Sequence, residues 1–85
     1  MGLREARIFV SYLKIDAHQR VTGIIHCPMS VYGGRFNLPP RQPKWLAGYL
    51  ELYVGEWITL EIDAANAVHY INTIDGMTDL SAYWA

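Results

Sequence analysis

The sequence lacks the features of a disulfide-stabilised, membrane-spanning or disordered protein. Cys27 is its one cysteine, so the chain cannot form an internal disulfide, which fits a reducing compartment. No apolar run is long enough to span a membrane, and the N-terminus becomes charged at Arg4, unlike a signal peptide. Of the 85 residues, 52% are hydrophobic and 18% are charged, a composition too apolar for disorder. We therefore expect a single cytoplasmic domain over residues 1–85 that does not bind membranes.

The sequence also lacks the local motifs that identify many enzymes and metal sites. It contains no Gly-x-Ser-x-Gly nucleophile turn, no His-Glu-x-x-His zinc motif and no phosphate-binding glycine loop. Its three histidines are widely spaced, and adjacent strand residues such as His26 and Cys27 point to opposite faces of a sheet. We therefore predict that the protein is not an enzyme and holds no metal or other cofactor. A small enzyme whose site has no recognisable motif is one alternative.

The C-terminal half contains no lysine or arginine. Residues 1–44 hold all seven basic residues against two carboxylates, a net charge of +5, whereas residues 45–85 hold six carboxylates, a net charge of −6. Such a separation of charge is typical of a surface that binds a charged partner. It also fits two halves that neutralise each other when they fold together.

Two N-terminal segments, residues 7–15 and 21–27, are rich in the β-branched and aromatic residues of strands. The polar residues between them predict a hairpin with Ile15 near Val21. One face of this hairpin then carries Phe9, Leu13, Ile15, Val21, Ile25 and Cys27. The other face carries Ile8, Val10, Tyr12 and Ile24 among Lys14, Thr22 and His26. Because this second face is half apolar, it needs cover from a helix or a partner, and we expect a homodimer.

The region that follows the hairpin is punctuated by glycine and proline. The Gly-Gly pair at 33–34 supplies the positive φ angles of a two-residue turn, which predicts a hairpin between residues 29–32 and 35–38. Three prolines within residues 39–43 favour an extended connector, since proline cannot donate a backbone hydrogen bond.

The C-terminal half predicts one helix and at least two strands. Apolar residues recur at helical spacing over residues 43–54, although the end of this segment also alternates as a strand does. Residues 57–63 alternate as a strand, residues 68–74 return as its partner, and residues 78–84 form a last strand or a turn of helix. This order predicts an α+β fold, a small antiparallel sheet of about five strands with one helix packed on it. An OB-like five-stranded barrel is the alternative.

Aromatic residues are frequent, with eleven Phe, Trp and Tyr side chains, and so small a core has little room for all of them. Exposed tyrosine and tryptophan are favoured at protein interfaces and as platforms on which single-stranded bases stack. Aromatic residues, arginines and prolines concentrate in the Gly-Gly turn and the connector, whose backbone we expect to be exposed. The predicted binding residues are Tyr32, Arg35, Phe36, Arg41, Lys44 and Trp45.

These residues predict a non-catalytic protein-binding module, an inhibitor or adaptor, that recognises another protein through aromatic and arginine anchors. The alternative is a single-stranded nucleic-acid-binding domain, in which the basic half follows phosphates and exposed tyrosines stack on bases. The overall charge of −1 favours the protein partner. If the connector does not bind, the outward side chains Trp57, Glu61 and Tyr70 form the next candidate surface.

Overall fold

The computed structural model describes residues 2–27 and 35–85 of the chain. Five strands, one short α-helix and a C-terminal 3₁₀ helix form within these residues. The strands are β1 (Arg4–Ile15), β2 (Val21–Cys27), β3 (Trp57–Ile62), β4 (Val68–Thr73) and β5 (Gly76–Asp79). Between β2 and β3 lies helix α1 (Leu46–Glu51), and after β5 follows the 3₁₀ helix (Ser81–Trp84).

The five strands form one open sheet in the order β2-β1-β3-β4-β5, and every neighbouring pair is antiparallel. The long strand β1 pairs on both sides, so that Phe9 lies opposite Cys27 of β2 and opposite Trp57 of β3. Within the part of the chain that the structure describes, β2 and β5 are the two edges and the sheet does not close. The predicted antiparallel sheet with one helix is therefore confirmed, and the alternative of an OB-like barrel is wrong.

The N-terminal hairpin has the predicted register at its turn, where Ile15 lies opposite Val21. The Asp16 carboxylate closes this turn by accepting the backbone amide hydrogens of His18 at 2.8 Å and Arg20 at 3.0 Å. The polar residues that separate the two strands in the sequence are therefore a side-chain-capped turn.

One face of the sheet is covered and forms the core, and we call it the covered face. Ile8 and Val10 of β1 and Ile24 of β2 are at most 2% exposed and belong to the same hydrophobic core as Leu46 of α1. The pairing with β3 determines which face of β1 is buried. Ile8 lies opposite Ile58, so both side chains lie on the apolar face that the alternation of β3 defines. Ile8, Val10 and Ile24, on which the homodimer prediction rests, are therefore covered within one chain. Tyr12 and Lys14, which were expected on the same face, lie on the opposite one, because a β-bulge between Val10 and Tyr12 shifts the alternation of β1.

Helix α1 occupies only the centre of the predicted segment 43–54. The amide of Leu46 donates to the Pro43 carbonyl at 3.1 Å, and Gly55 ends the turns that follow the helix with a φ of 84°. The two alternatives for residues 78–84 are both found, since β5 is followed by the 3₁₀ helix.

The segment 35–45 folds back against the start of β4. The amide of Asn37 donates to the Asn66 carbonyl at 2.8 Å, and the amide of Val68 donates to the Asn37 carbonyl at 2.9 Å, which makes an isolated parallel bridge. The predicted hairpin around residues 33–34 lies outside the described residues except for its second strand, which is replaced by this bridge. The segment is therefore attached to the sheet and is not a free connector.

Candidate functional site

The predicted binding residues separate into an exposed group and a buried residue. The exposed side chains are those of Arg35, Arg41, Lys44 and Trp45. Phe36 is buried, and Tyr32 lies outside the described residues. In the segment 35–45 the cations are therefore exposed to solvent, whereas one of the two described aromatic rings, that of Phe36, is buried.

Phe36 is a core residue and not an exposed anchor. It is 2% exposed, and its ring lies on the covered face against His26, with 4.7 Å between ring centroids. The backbone bonds of Asn37 to the start of β4 hold the segment against the sheet and carry the preceding side chain inward. The expectation that this part of the segment is exposed is corrected by that attachment.

Trp45 belongs to an aromatic cluster where α1 meets the C-terminal 3₁₀ helix. Its ring makes edge contacts with Tyr49 at 5.9 Å and Tyr83 at 6.3 Å between centroids, and it is 45% exposed. Tyr53 extends the cluster and donates a hydrogen bond to Asp75 at 2.6 Å, which raises the pKa of the Tyr53 hydroxyl. Trp45 is therefore held by packing and does not line the depressions around the cations.

The cations of the segment surround two adjoining depressions. Arg35 lines the first, of about 240 Å³, and Lys44 lines the second, of about 390 Å³. Arg20 and Gln42 line both, so the two depressions adjoin each other. The exposed Arg41 directly precedes Gln42 in the chain. Arg41 itself lines neither depression. We call the two depressions together the basic groove, with the polar residues Arg20, Arg35, Gln42 and Lys44.

Gln42 builds the groove by attaching the segment to the edge of the sheet. Its Oε1 accepts the Val21 amide hydrogen at 2.8 Å, and its Nε2 donates to the Val21 carbonyl at 2.7 Å. The side-chain amide thus pairs with the edge strand β2 as a neighbouring strand would. Sequence reasoning missed Gln42, because a contact across 21 residues leaves no local signal.

Arg20 is placed by the turn of the N-terminal hairpin. Its Nε donates to Asp16 Oδ2 at 3.0 Å, and its Nη1 donates to the Pro40 carbonyl at 3.4 Å. Hydrogen bonds from the Arg20 backbone amide, the His18 amide and the Arg20 side chain lower the pKa of Asp16, so this carboxylate stays charged at neutral pH. Sequence reasoning also missed Arg20, although a basic residue in a polar hairpin turn was a signal for it.

The second candidate surface is the face of the sheet opposite the core, which we call the open face. Its side chains are exposed or partly exposed, and its aromatic side chains come from three different strands. By strand, the open face consists of Glu5, Arg7, Phe9, Tyr12 and Lys14 of β1, Ile25 and Cys27 of β2, Trp57, Thr59 and Glu61 of β3, Tyr70 and Asn72 of β4, and Met77 and Asp79 of β5.

Trp57 is the central aromatic residue of the open face. It is 50% exposed, and its ring meets the Phe9 ring edge-on at 5.8 Å between centroids. The Arg7 guanidinium lies 5.6 Å from the Trp57 ring centroid, a cation–π contact. Along the same strand, Glu61 accepts a hydrogen bond from Asn72 at 2.7 Å. The open face therefore combines a fixed aromatic centre with charged residues around it.

The Asp63 and His69 side chains form a pair whose contacts are structural. His69 Nε2 lies 3.0 Å from Asp63 Oδ2, and Asp63 Oδ1 accepts the amide hydrogens of Ala65 and Ala67. The hydrogen bond from His69 is the main cause that lowers the pKa of Asp63. This carboxylate therefore holds the β3–β4 turn, and among the described residues no hydroxyl or thiol joins the pair as a nucleophile would.

His26 and Cys27 lie on opposite faces of β2, as predicted, with His26 buried and Cys27 exposed. Within residues 2–27 and 35–85, no three His, Cys, Asp or Glu side chains come together as metal ligands. No helix in the same residues is long and apolar enough to cross a membrane. The chain matches no protein-family model, no curated protein and no solved structure.

Proposed function

We propose that the protein is a non-catalytic protein-binding module, an inhibitor or adaptor, that holds an acidic segment of its partner protein in the basic groove. The observation that carries this proposal is the convergence of Arg20, Arg35 and Lys44 on two adjoining depressions. Arginine and lysine side chains on a concave surface recognise carboxylates through charge-assisted hydrogen bonds. Because the depressions adjoin each other, they favour an extended peptide segment over a single small anion.

Of the cations in and beside the groove, only Arg20 pairs with a carboxylate among the described residues. The three exposed cations of the segment 35–45 take part in no ion pair among the described residues. Two pairs seen among the described residues, Arg20 with Asp16 and His69 with Asp63, each lie within one half of the sequence. The separation of charge along the sequence therefore supports a charged partner more than internal neutralisation.

A protein partner fits the groove better than single-stranded nucleic acid does. Binding of single strands without sequence preference needs exposed aromatic rings beside the cations, on which successive bases stack. Phe36 is buried beneath the groove, and the Trp45 ring, which is 45% exposed, packs edge-on against Tyr49 and Tyr83 and lines neither depression. The overall charge of −1 also opposes a polyanion. Carboxylates of a peptide need neither stacking nor a strongly basic protein.

The test is direct binding of a fluorescently labelled, Glu-rich peptide of about ten residues, roughly the length of chain that spans such a groove. We expect Arg35→Glu with Lys44→Glu to weaken binding at least about tenfold, which corresponds to about 1.4 kcal/mol. The melting temperature should stay nearly unchanged, because both side chains are exposed.

The matched control is Arg4→Glu with Leu52→Glu, which introduces two glutamates on exposed residues outside both the groove and the open face. This variant should bind the peptide almost as the unmodified protein does. An oligothymidine of similar length provides the second probe. Tighter binding of the oligonucleotide than of the peptide, or equal losses in both double variants, would contradict the proposal.

A further inference from the structure

The two ends of the open face carry opposite charge. At one end, Glu5 of β1 lies directly opposite Glu61 of β3, and Asp79 of β5 belongs to the same row of the sheet. At the other end lies Lys14, which pairs with Gly23 and whose side-chain stem lies over that glycine. Like charges that face each other across two strands destabilise a sheet. The acidic end is therefore a place where a cation from another molecule gains more than a usual surface contact.

The charged ends are equally far from the centre of the face. Four residues separate Glu5 from Phe9, about 13 Å along a strand. Five residues separate Phe9 from Lys14, but a β-bulge between Val10 and Tyr12 takes up one of them, so this distance is again about 13 Å. The midpoint is the row of the sheet that crosses β1 at Phe9.

We propose that the open face is a homodimer interface, in which a second copy of the chain packs face to face across a two-fold axis along the row Cys27, Phe9 and Trp57. Because the axis crosses the strands at their midpoint, Lys14 of each copy meets the acidic end of the other. The same operation stacks Phe9 and Trp57 on their own equivalents in the second copy and places Arg7 opposite Tyr12. This dimer uses the face opposite to the one on which the sequence-based homodimer prediction rests.

The stagger of the strands decides where the two copies meet. β1 of one copy lies on β1 of the other over about 27 Å, because β2 extends only from the central row towards Lys14, and β3, β4 and β5 extend only from that row towards Glu5. The centre is aromatic and the charges lie at the rim, as in protein interfaces. Single-stranded nucleic acid is less suited to this face, because Glu5, Glu61 and Asp79 repel phosphates.

Charge reversal tests the symmetry of the proposed dimer. Lys14→Glu alone and Glu5→Lys alone should each raise the dissociation constant of the dimer at least about tenfold, because each repulsive contact occurs twice in a two-fold dimer. An equimolar mixture of the two variants should associate about as well as the unmodified protein, since both contacts are then attractive. Sedimentation equilibrium from about 1 µM to 1 mM measures all three affinities.

Cys27 gives an independent readout of the geometry, because it lies on the axis and is exposed. Facing sheets pack about 10 Å apart, so a thiol-specific cross-linker of about that reach should join Cys27 of one copy to Cys27 of the other. Covalent dimer should form in the unmodified protein, decrease in Lys14→Glu and reappear when Lys14→Glu is mixed with Glu5→Lys. Cys27→Ser is the control, since without the thiol no covalent dimer should form.

Glu51→Lys is the matched charge control, since Glu51 is an exposed residue of α1, the helix that packs on the covered face, and it should leave association unchanged. A strict monomer up to about 1 mM, or a mixture no more associated than its components, would overturn the proposal. If the protein bound an oligothymidine and Trp57→Ala abolished that binding, the homodimer proposal would be overturned, and the open face would be a nucleic-acid-binding surface. The dimer and the peptide site fail separately, because they use different residues and different assays.

Discussion

The basic groove and the open face differ in where their aromatic rings lie. In the groove the ring of Phe36 is 2% exposed and the cations around it reach solvent. On the open face the ring of Trp57 is 50% exposed, and the guanidinium of Arg7 lies over it. Segments with a similar aromatic and basic composition in the sequence therefore have different roles in the structure. In the first region the aromatic residue stabilises the fold, and in the second it is available to a partner.

The two regions also differ in the pattern of their charge. The groove gathers cations from a hairpin turn and from the segment 35–45, whereas the open face carries acidic and basic ends on one strand. A surface with charges of one sign needs a partner whose charges have the opposite sign. A surface with both signs at equal distances from its centre is complementary to itself. The comparison thus separates a surface for a different protein from a surface for a second copy.

The largest effect should come from removing the buried ring. We expect Phe36→Ala to lower the free energy of unfolding by about 3 to 5 kcal/mol, because it leaves a cavity against His26 in the core. Urea denaturation measures the change. A loss below about 1 kcal/mol would place Phe36 at the surface and would remove the difference between the two regions.

Removing the exposed ring should affect association more than folding. We expect Trp57→Ala to raise the dissociation constant of the dimer at least about 30-fold, about 2 kcal/mol, as for a central interface residue. Its cost in stability should be smaller than that of Phe36→Ala, since half of the ring is already in solvent. Sedimentation equilibrium and urea denaturation of the same variant compare the two effects. An equal loss in both would mean that Trp57 is structural.

The hydrogen bonds of Gln42 to the sheet should contribute less to the free energy of unfolding than the packing of Phe36 does. We expect Gln42→Ala to lower the free energy of unfolding by about 1 to 2 kcal/mol, because the amide and carbonyl of the buried Val21 lose their partner. Hydrogen exchange at the Val21 amide should accelerate more than exchange in β3. Unchanged exchange at Val21 would show that the side-chain amide does not hold the segment.

A smaller and opposite change is expected at the acidic end of the open face. Glu5→Gln removes the repulsion with Glu61 and should stabilise the monomer by about 0.2 to 1 kcal/mol. It should weaken the dimer, since Lys14 of the second copy loses a carboxylate. Thermal unfolding at low concentration and sedimentation at high concentration should therefore move in opposite directions. A change in the same direction would count against the proposed contact.

The smallest effects should appear in the dependence of stability on pH. Asp16 beside the groove and Asp63 in the β3–β4 turn both have a folded-state pKa below the ordinary value of 3.8. Their contribution is fully present above the unfolded pKa, begins to be lost as pH falls below about 4, and is gone below the folded pKa. Asp16→Asn and Asp63→Asn should each flatten this decline in melting temperature between about pH 2 and 5. If the melting temperature of each variant fell with pH in parallel with that of the unmodified protein, the lowered pKa values of Asp16 and Asp63 would be contradicted.

Much of the fold follows from local patterns in the sequence. The alternation of residues 57–63 and the turn after Ile15 depend on neighbouring residues only, and both were predicted. The β-bulges that shift the pairing of β1 with β2 beyond that turn were not. The basic groove could be predicted only in part. Arg35 and Lys44 lie in the segment that the sequence favours, but Arg20 and Gln42 join them through hydrogen bonds between distant parts of the chain.

The sequence by itself determined the class of fold, because strand periodicity, helical spacing and glycine turns act over a few residues. It also determined the separation of charge between the two halves. Only the tertiary structure decided which face of β1 is buried, since β1 has apolar residues on both sides and the pairing with β3 selects one of them. For the same reason it alone decided that Phe36 is covered and Trp57 exposed. Burial is a property of what packs against a residue, and that partner is distant in the sequence.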